Sequence, residues 1–332
     1  MKYSTLTEIP VSRGVTEAFG GYNHNLRISD GEFYDMKNLT SSHYPLLAPR
    51  DKRGAYTYPQ NLAGSHRTNG IIAKDALCYV DENKLYINNK EIVGLMLTDS
   101  PKQLISMGAY LIIMPDKKWV NTTDFSYGNI EAKFNSEGET ISATYEMCKV
   151  DGEVYTDTEQ GYNPPEDTSK LWIDISTTPH ALKQYSTSNE VWSQIATTYI
   201  KIKATNIAMS FKQYDAVMIT GLPTDAAFKD LEGKVSPLWA VHHDEGEEGG
   251  RAEGTDDYIV VVGFLDTVIN GAKTSLKLER TMPKMDFVIE SGNRLWGCRY
   301  GTNAGGEVVN EIYASKLGDF KNWFCYMGLS TD

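Results

Sequence analysis

Residues 76–88 read ALCYVDENKLYIN, and residues 287–298 read FVIESGNRLWGC. Each contains an apolar stretch, a short turn with an asparagine, a basic residue, a leucine and then an aromatic residue. Each is therefore predicted to form a tight β-hairpin. A single hairpin cannot bury its apolar face alone, so repetition of the hairpin favours an array in which neighbours pack on one another.

The segments that follow the first hairpin continue this pattern. Short apolar runs at 91–97 (EIVGLML), 102–107 (KQLISM) and 109–114 (AYLIIM) alternate with turn residues, at intervals of ~8–12 residues. This spacing is typical of antiparallel β-structure in a sandwich, a barrel or a propeller. The 20 Tyr, 10 Phe and 6 Trp agree with it, because aromatic side chains suit a pleated surface. We predict an all-β fold of propeller-type antiparallel hairpins.

The matching octapeptides YVDENKLY and IESGNRLW begin at residues 79 and 289, which predicts a domain inserted between them. Alternation at 199–203 and a continuous apolar run at 258–264 predict strands there, the second one buried on both faces. Thr224 and Gly233 are placed to cap and end one short helix. The predicted division has four parts: an extended N-terminal arm at 1–70, propeller-type blades at 71–126, an inserted β-barrel-like or sandwich-like domain at 127–280, and a further blade at 281–332.

Charge limits the classes of partner. The 332 residues include 32 Lys and Arg against 44 Asp and Glu, for a formal net charge of -12. General nucleic-acid affinity comes mostly from neutralising phosphates, so such a chain is a poor DNA binder, and docking on an anionic membrane is disfavoured for the same reason. The N-terminus lacks the apolar core of a signal peptide, and no run approaches ~18 apolar residues. We expect a soluble protein, made in a cytoplasm, with no membrane span.

Catalytic and cofactor motifs are missing from the sequence. It contains no phosphate-binding loop, dinucleotide-binding glycine motif, nucleophile elbow, HExxH or EF-hand pattern. The four cysteines are too far apart for a CxxC pair and are predicted to be reduced and mostly buried: Cys78, Cys148, Cys298 and Cys325. We predict no enzyme activity, no catalytic residue and no cofactor.

Residues 242–257 contain the densest group of possible metal ligands, namely His242, His243, Asp244, Glu245 and Glu247. Histidines and carboxylates can hold a divalent cation. However, adjacent residues rarely point at one ion, so we expect a mobile, solvated acidic loop and no metal site.

Paired carboxylates and tryptophans are the residues from which a glycan-processing site could be built. Asp256, Asp257 and Asp319 could supply acid and base groups, but acidic residues are common in turns. A sugar-stacking platform could be built from Trp172, Trp192, Trp239, Trp296 and Trp323. Each of these tryptophans lies in an apolar segment, which favours core or interface packing. Trp119 follows two lysines and is expected to be the exposed tryptophan.

Four segments, in this order, resemble one protein family. They are residues 33–54 (FYDMKNLTSSHYPLLAPRDKRG), 106–116 (SMGAYLIIMPD), 287–298 and 310–332 (NEIYASKLGDFKNWFCYMGLSTD). They are similar to segments of the tail stabilisation, or nozzle, proteins of short-tailed phages of Firmicute hosts. The resemblance spans about 10–126 and 281–332. The middle resembles the inserted domain of such proteins at 199–202, 215–221 and 258–263.

The resemblance implies a β-propeller that forms a hollow ring, of six subunits, in the virion tail after assembly in the host cytoplasm. The ring would continue the DNA channel, retain and release the genome without binding DNA specifically, and contact portal or adaptor proteins and a tail fibre or spike. The alternative left open is a surface β-propeller that binds or degrades glycans or binds a receptor. A propeller has 4–8 blades, whereas the two flanking regions supply about three blades of ~40–50 residues. Further blades are therefore expected beyond Asp332.

Overall fold

The computed structural model describes residues 15, 17, 19–40, 42–43, 48–52, 67–136, 141–246, 252–302 and 305–324. Strands in several antiparallel sheets dominate these residues, so the prediction of an all-β fold is confirmed. Among them the one helical segment is a 3₁₀ turn at Ala226–Phe228. No helix in this part of the chain has the length and apolar character needed to cross a membrane.

Chain contacts divide the protein into Met1–Gly64 and Ser65–Asp332. The described part of the first unit holds four two-residue strands, in which β1 pairs with β2 in parallel and β3 pairs with β4 antiparallel: β1 Gly21–Tyr22, β2 Glu32–Phe33, β3 Leu39–Thr40 and β4 Ala48–Pro49. Phe19 packs on Phe33 at a ring distance of 5.3 Å. Residues 1–14 and 53–66 of the predicted arm lie outside the described residues.

The second unit opens with two four-stranded antiparallel meanders. Sheet I contains β5 Thr68–Lys74, β6 Ala76–Asp81, β7 Lys84–Ile87 and β8 Lys90–Glu91. Sheet II contains β9 Gln103–Met107, β10 Tyr110–Met114, β11 Lys118–Asn121 and β12 Tyr127–Asn129. The strand predicted at 91–97 is wrong beyond Glu91. Gly94 turns the chain there with a φ of +87°, and Ile92, Leu95 and Leu97 fill the core from a loop.

Three sheets follow, and in the described residues their strands pair only with one another. The strands are β13 Ala132–Asn135, β14 Ile141–Cys148, β15 Thr158–Gly161, β16 Leu171–Asp174, β17 Ala181–Ser186, β18 Val191–Gln194, β19 Tyr199–Lys203, β20 Ala216–Thr220, β21 Val235–Pro237, β22 Ala240–His242, β23 Tyr258–Val262, β24 Ile269–Thr274 and β25 Lys277–Arg280. The sheet orders are β13-β25-β20-β21, β22-β23-β19-β14-β24 and β15-β16-β17-β18. That residues 127–280 form one inserted domain stays a prediction.

One apolar core joins the first two of these sheets. Tyr145, Ile202 and Ile259 from the five-stranded sheet pack with Val217 and Leu278 from the sheet that contains β20 and β25. This is sandwich-like packing, in which side chains from two inner faces interdigitate. The apolar run at 258–264 forms β23, whose central three residues are fully buried on both faces, as predicted.

The short helix predicted between Thr224 and Gly233 is reduced to a single 3₁₀ turn. Its cap is Asp225, not Thr224, because the Asp225 carboxylate accepts a hydrogen bond from the Ala227 N–H at 2.8 Å. Gly233, with a φ of +70°, donates its N–H to the Ile219 carbonyl. The segment thus turns back to β20 instead of continuing as a helix.

Sheet III contains the last three described strands, β26 Phe287–Ser291, β27 Arg294–Thr302 and β28 Val308–Ala314, in that order. Sheets I, II and III stack face to face, with sheet II in the middle. Leu111 and Ile113 of β10 face sheet I, whereas Ile112 and Met114 face sheet III. Among the described residues the stack does not close into a propeller.

In both similar hairpins the leucine of the shared pattern faces sheet II, although the first hairpin is central in its sheet and the second lies at an edge. Leu85 of the first and Leu295 of the second are both fully buried. The second hairpin turns at Gly292 and Asn293, both with positive φ, as a two-residue type I′ turn requires. Gln103 links sheets II and III through its side-chain amide, whose oxygen accepts a hydrogen bond from the Val288 N–H at 3.1 Å.

Arg280 joins the two points at which the chain enters and leaves the inserted sheets. Its Nε and Nη2 donate to the Ile130 carbonyl at 3.3 and 3.0 Å, and its Nη1 donates to the Asp215 carboxylate. Asn322, which follows sheet III, donates to Asp215 at 3.0 Å and accepts the Ala216 N–H at 2.9 Å. This buried polar network connects the stack to the inserted sheets.

Candidate functional site

The ends of the acidic segment 242–257 are hydrogen-bonded, and the prediction of a solvated loop is wrong for Asp244 and Asp257, which are buried. Asp257 is fully buried and accepts the N–H groups of Asp244 and Ala208 at 2.8 and 3.1 Å. His243 places Nδ1 3.0 Å from Asp257 and Nε2 3.1 Å from Glu253. Hydrogen bonds to Asp257 and Glu253 raise the pKa of the His243 imidazole. A buried carboxylate that needs donors thus fixes the loop.

Of the other possible metal ligands, His242 and Glu245 do not join His243. His242 stacks on Tyr258 at 4.9 Å, Glu245 is exposed and Glu247 lies outside the described residues. The described part of the chain contains no group of three or more His, Cys, Asp or Glu side chains placed to hold a metal ion.

The carboxylates considered for catalysis have structural partners. Asp256 forms an ion pair with Lys203 at 2.5 Å, and Asp257 binds the loop as described above. Asp319 accepts the Lys321 N–H at 2.9 Å and a hydrogen bond from the Asn322 amide. These contacts explain the carboxylates as parts of the fold.

The exposed tryptophan is Trp296, and the expectation for Trp119 is wrong. Trp119 is half-buried because its side of β11 faces sheet III, and it packs edge-on against Tyr110 at 5.5 Å. Trp172 and Trp323 are buried.

The cysteines that the structure describes are free thiols, with Cys78 and Cys148 buried and Cys298 half-buried. Cys325 lies outside the described residues. Burial raises the pKa of the Cys148 thiol to about 12, so this thiol is a poor nucleophile at neutral pH.

The most unusual surface of the second unit is one face of sheet III, called here the outer face. Strand register places six large apolar side chains on it: Phe287, Ile289, Trp296, Tyr300, Val308 and Ile312. Their exposed fractions run from 40 % for Trp296 to 78 % for Ile312. The opposite face of the sheet carries the buried Val288 and Leu295.

Local contacts hold the aromatic side chains of the outer face in place. Phe287 and Tyr300 stack at 6.0 Å with an interplanar angle of 8°, and the Trp296 indole N–H donates to the Ser291 carbonyl at 3.1 Å. Three strands ~4.8 Å apart with a rise of ~3.3 Å per residue give a patch on the order of 300 Å². Contiguous exposed apolar patches of this size mark interaction surfaces in many proteins.

The charge of the outer face differs from that of the chain. None of the residues that the register places on this side of the three strands carries a carboxylate, although the whole chain has a net charge of -12. Arg294 lies at its edge and donates to the Ser315 carbonyl at 2.9 Å. A face without acidic side chains can approach a second copy without strong repulsion.

Sequence reasoning assigned Trp296 to core or interface packing and did not single out the other residues of the outer face. The signal was nevertheless present, since Phe287, Val288 and Ile289 put apolar side chains on both sides of one strand, a pattern typical of a strand covered on both faces. The outer face offers mainly apolar contact, with the half-buried Cys298 thiol between Phe287 and Ile312, and this chemistry suits protein association. Comparisons of the chain with protein-family models, with curated proteins and with solved structures found no match.

Proposed function

We propose that this chain is a structural subunit of a phage tail, of the stabilisation or nozzle type, which assembles into a ring through its stacked β-sheets. The observation that carries the proposal is the outer face of sheet III, an apolar sheet face at one end of a stack of sheets. In that reading the protein acts through interfaces and has no catalytic residue.

The stack has a second end that suits a contact between copies. The outer side of sheet I exposes Ile71 and Leu77, which the register places on one face through the pairs Ile71–Tyr79 and Ala73–Leu77. Two different ends that meet between copies form a heterologous contact, and such contacts generate rings when the rotation closes. We assign the outer face of sheet III to the sheet I end of a neighbouring copy.

The glycan-binding alternative receives less support. Sugar sites are concave and combine a few aromatic side chains with convergent polar groups. On the outer face, Trp296 and Tyr300 are instead surrounded by the aliphatic Ile289, Val308 and Ile312, which suits another protein surface better than a carbohydrate.

Mass photometry of the full chain tests the assembly. Six copies of 37.1 kDa give a ring of about 223 kDa, and we expect a discrete species of that mass in the wild type. Ile312→Lys should convert the ring to monomers, because assembly would then bury an unpaired positive charge in the contact. Val191→Lys, on the exposed β18 of the inserted sheets, is the matched control and should leave the ring intact. A wild-type chain that stays monomeric at micromolar concentration refutes the assembly.

A DNA-binding assay tests whether the ring can serve as a DNA channel. A ring that guides DNA must let it slide, and carboxylates repel phosphates, which suits a chain with a net charge of -12. We expect no mobility shift of duplex DNA at micromolar protein in ~20 mM salt, where nonspecific binding is strongest. A mobility shift that disappears on adding salt would contradict the proposed DNA channel. Binding on a glycan array that is lost in Trp296→Ala would favour the glycan-binding alternative.

A further inference from the structure

A cavity of about 600 Å³ lies where sheet II meets the inserted strands β13 and β25. Its wall includes Trp119 and Asn129 from sheet II, Lys133 from β13, and Ser210, Arg280 and Lys321. The volume falls within the ~300–1,000 Å³ typical of small-molecule sites. None of these residues belongs to the outer face of sheet III, so this cavity is a separate feature.

The negative charges in the cavity wall are already neutralised. Asp116 receives the Lys102 ammonium at 2.7 Å on one oxygen and two hydrogen bonds from Thr98 on the other. Glu131 receives the Lys117 ammonium at 2.6 Å. These carboxylates therefore have little capacity left to compensate a further positive charge.

Lys321 supplies that further positive charge. No carboxylate of the described residues lies within 4.0 Å of its Nζ, whereas the other cations of the wall all have one. Its Nζ lies 4.4 Å above the Trp119 ring. Burial, together with the nearby positive charges of Arg280 and Lys212, outweighs the opposing effect of the Asp319 and Asp215 carboxylates and lowers the pKa of the Lys321 ammonium. An anion next to Nζ would reverse this effect.

Further donors point to the same class of ligand. The Asn129 side-chain oxygen accepts from Lys118 at 2.8 Å, but its NH₂ group has no partner among the described residues. The Ser210 hydroxyl is exposed and also makes no hydrogen bond to them. Both side chains are solvent-exposed and can turn their donors towards an acceptor-rich, negatively charged group beside the Lys321 ammonium.

We propose that this cavity binds a small organic anion, a carboxylate or phosphate attached to an aromatic or aliphatic body, with Lys321 as its charged contact and Trp119 as its apolar wall. The organic body follows from the volume, because a bare phosphate ion would fill only a small part of the cavity. The acidic group follows from Lys321, whose ammonium has no carboxylate of the described residues within 4.0 Å and lies over the Trp119 ring.

Isothermal titration of the full-length protein with phenyl phosphate, benzoate and inorganic phosphate tests the proposal, and phenol serves as the neutral analogue. We expect phenyl phosphate or benzoate to bind at least tenfold more tightly than phenol and than inorganic phosphate. Lys321→Met should weaken that binding at least tenfold. Lys133→Met is the matched control, since Lys133 lines the same cavity but pairs with Glu279 at 3.2 Å, and it should change binding less than threefold.

Equal losses in both variants would indicate a diffuse electropositive surface and overturn the assignment, as would equal affinity for phenol and phenyl phosphate. Reductive methylation of the wild type gives a second measurement that needs no variant. Phenyl phosphate should protect Lys321 from methylation and leave the exposed lysines unprotected. Absence of this selective protection would also contradict the site.

Discussion

Replacement of Arg280 by Met should destabilise the protein strongly. The guanidinium is buried and makes three hydrogen bonds, two to the Ile130 carbonyl and one to Asp215. The methionine side chain can occupy a similar volume, but it donates no hydrogen bond and carries no charge. Asp215 would remain buried. It would keep the hydrogen bonds from the Lys212 backbone N–H and the Asn322 side-chain amide, both at 3.0 Å, but it would lose its positively charged partner.

The magnitude follows from this arrangement. Removing one partner of a buried ion pair typically costs about 3–5 kcal/mol, since the remaining charge is left uncompensated. Loss of both donors to Ile130 adds to that, because a buried carbonyl without a donor costs about 1–3 kcal/mol. The two hydrogen bonds that Asp215 keeps reduce the total, so we expect a loss near 4 kcal/mol.

The assay is guanidinium chloride unfolding of the wild type, of Arg280→Met, of Asp215→Asn and of the double variant. Removal of both charges should cost less than the sum of the single losses, with a coupling free energy of at least 1 kcal/mol, because contacting charges are not independent. A loss below about 1 kcal/mol for Arg280→Met, or additive single losses, would refute the view that this network holds the inserted sheets to the stack.

Three further predictions concern titratable groups. With its thiol pKa at about 12, Cys148 should react with iodoacetamide at pH 8 far more slowly than the half-buried Cys298, as peptide mapping would detect. Hydrogen bonds from its lysine and serine neighbours lower the pKa of Asp174 to about 2, so its contribution to stability is present above about pH 4 and is lost as the pH falls towards 2. In denaturant titrations, the Asp174→Asn variant should therefore be less stable than the wild type at pH 7 and as stable as the wild type near pH 2. Because the pKa of His243 is raised in the folded state, the contribution of its charged form to stability is full below about pH 6.5 and is lost as the pH rises through the folded-state pKa. If His243→Ala left the dependence of stability on pH unchanged, this prediction would be wrong.

Much of the local structure could be predicted from sequence because hairpins depend on near neighbours. Alternating apolar residues, an Asn or Gly turn and the following leucine were sufficient to predict the hairpins at 76–88 and 287–298. The loop at 92–97 was less accessible, since Ile92, Leu95 and Leu97 are as apolar as strand residues. Their burial from a loop depends on packing against sheet II, which is not a local property.

The candidate surfaces were harder to predict for the same reason. The acidic residues at 242–257 suggest a solvated loop, and only the tertiary structure reveals that Asp257 is buried and accepts backbone N–H groups from Asp244 and Ala208. The cavity at Lys321 combines residues from sheet II, β13, β25 and the segment after β28. No spacing rule in the sequence connects positions so far apart.

The contrast between sheets II and III bears most directly on function. In β10 of sheet II, neighbouring apolar residues point to opposite faces, and Leu111 and Ile112 are both fully buried because a sheet covers each side. Sheet III has the same two-sided apolar pattern, but Leu295 is fully buried while Ile312 is largely exposed. Selection for solubility alone would favour polar residues on an uncovered face. We propose that a further protein surface covers the outer face, as sheets I and III cover sheet II.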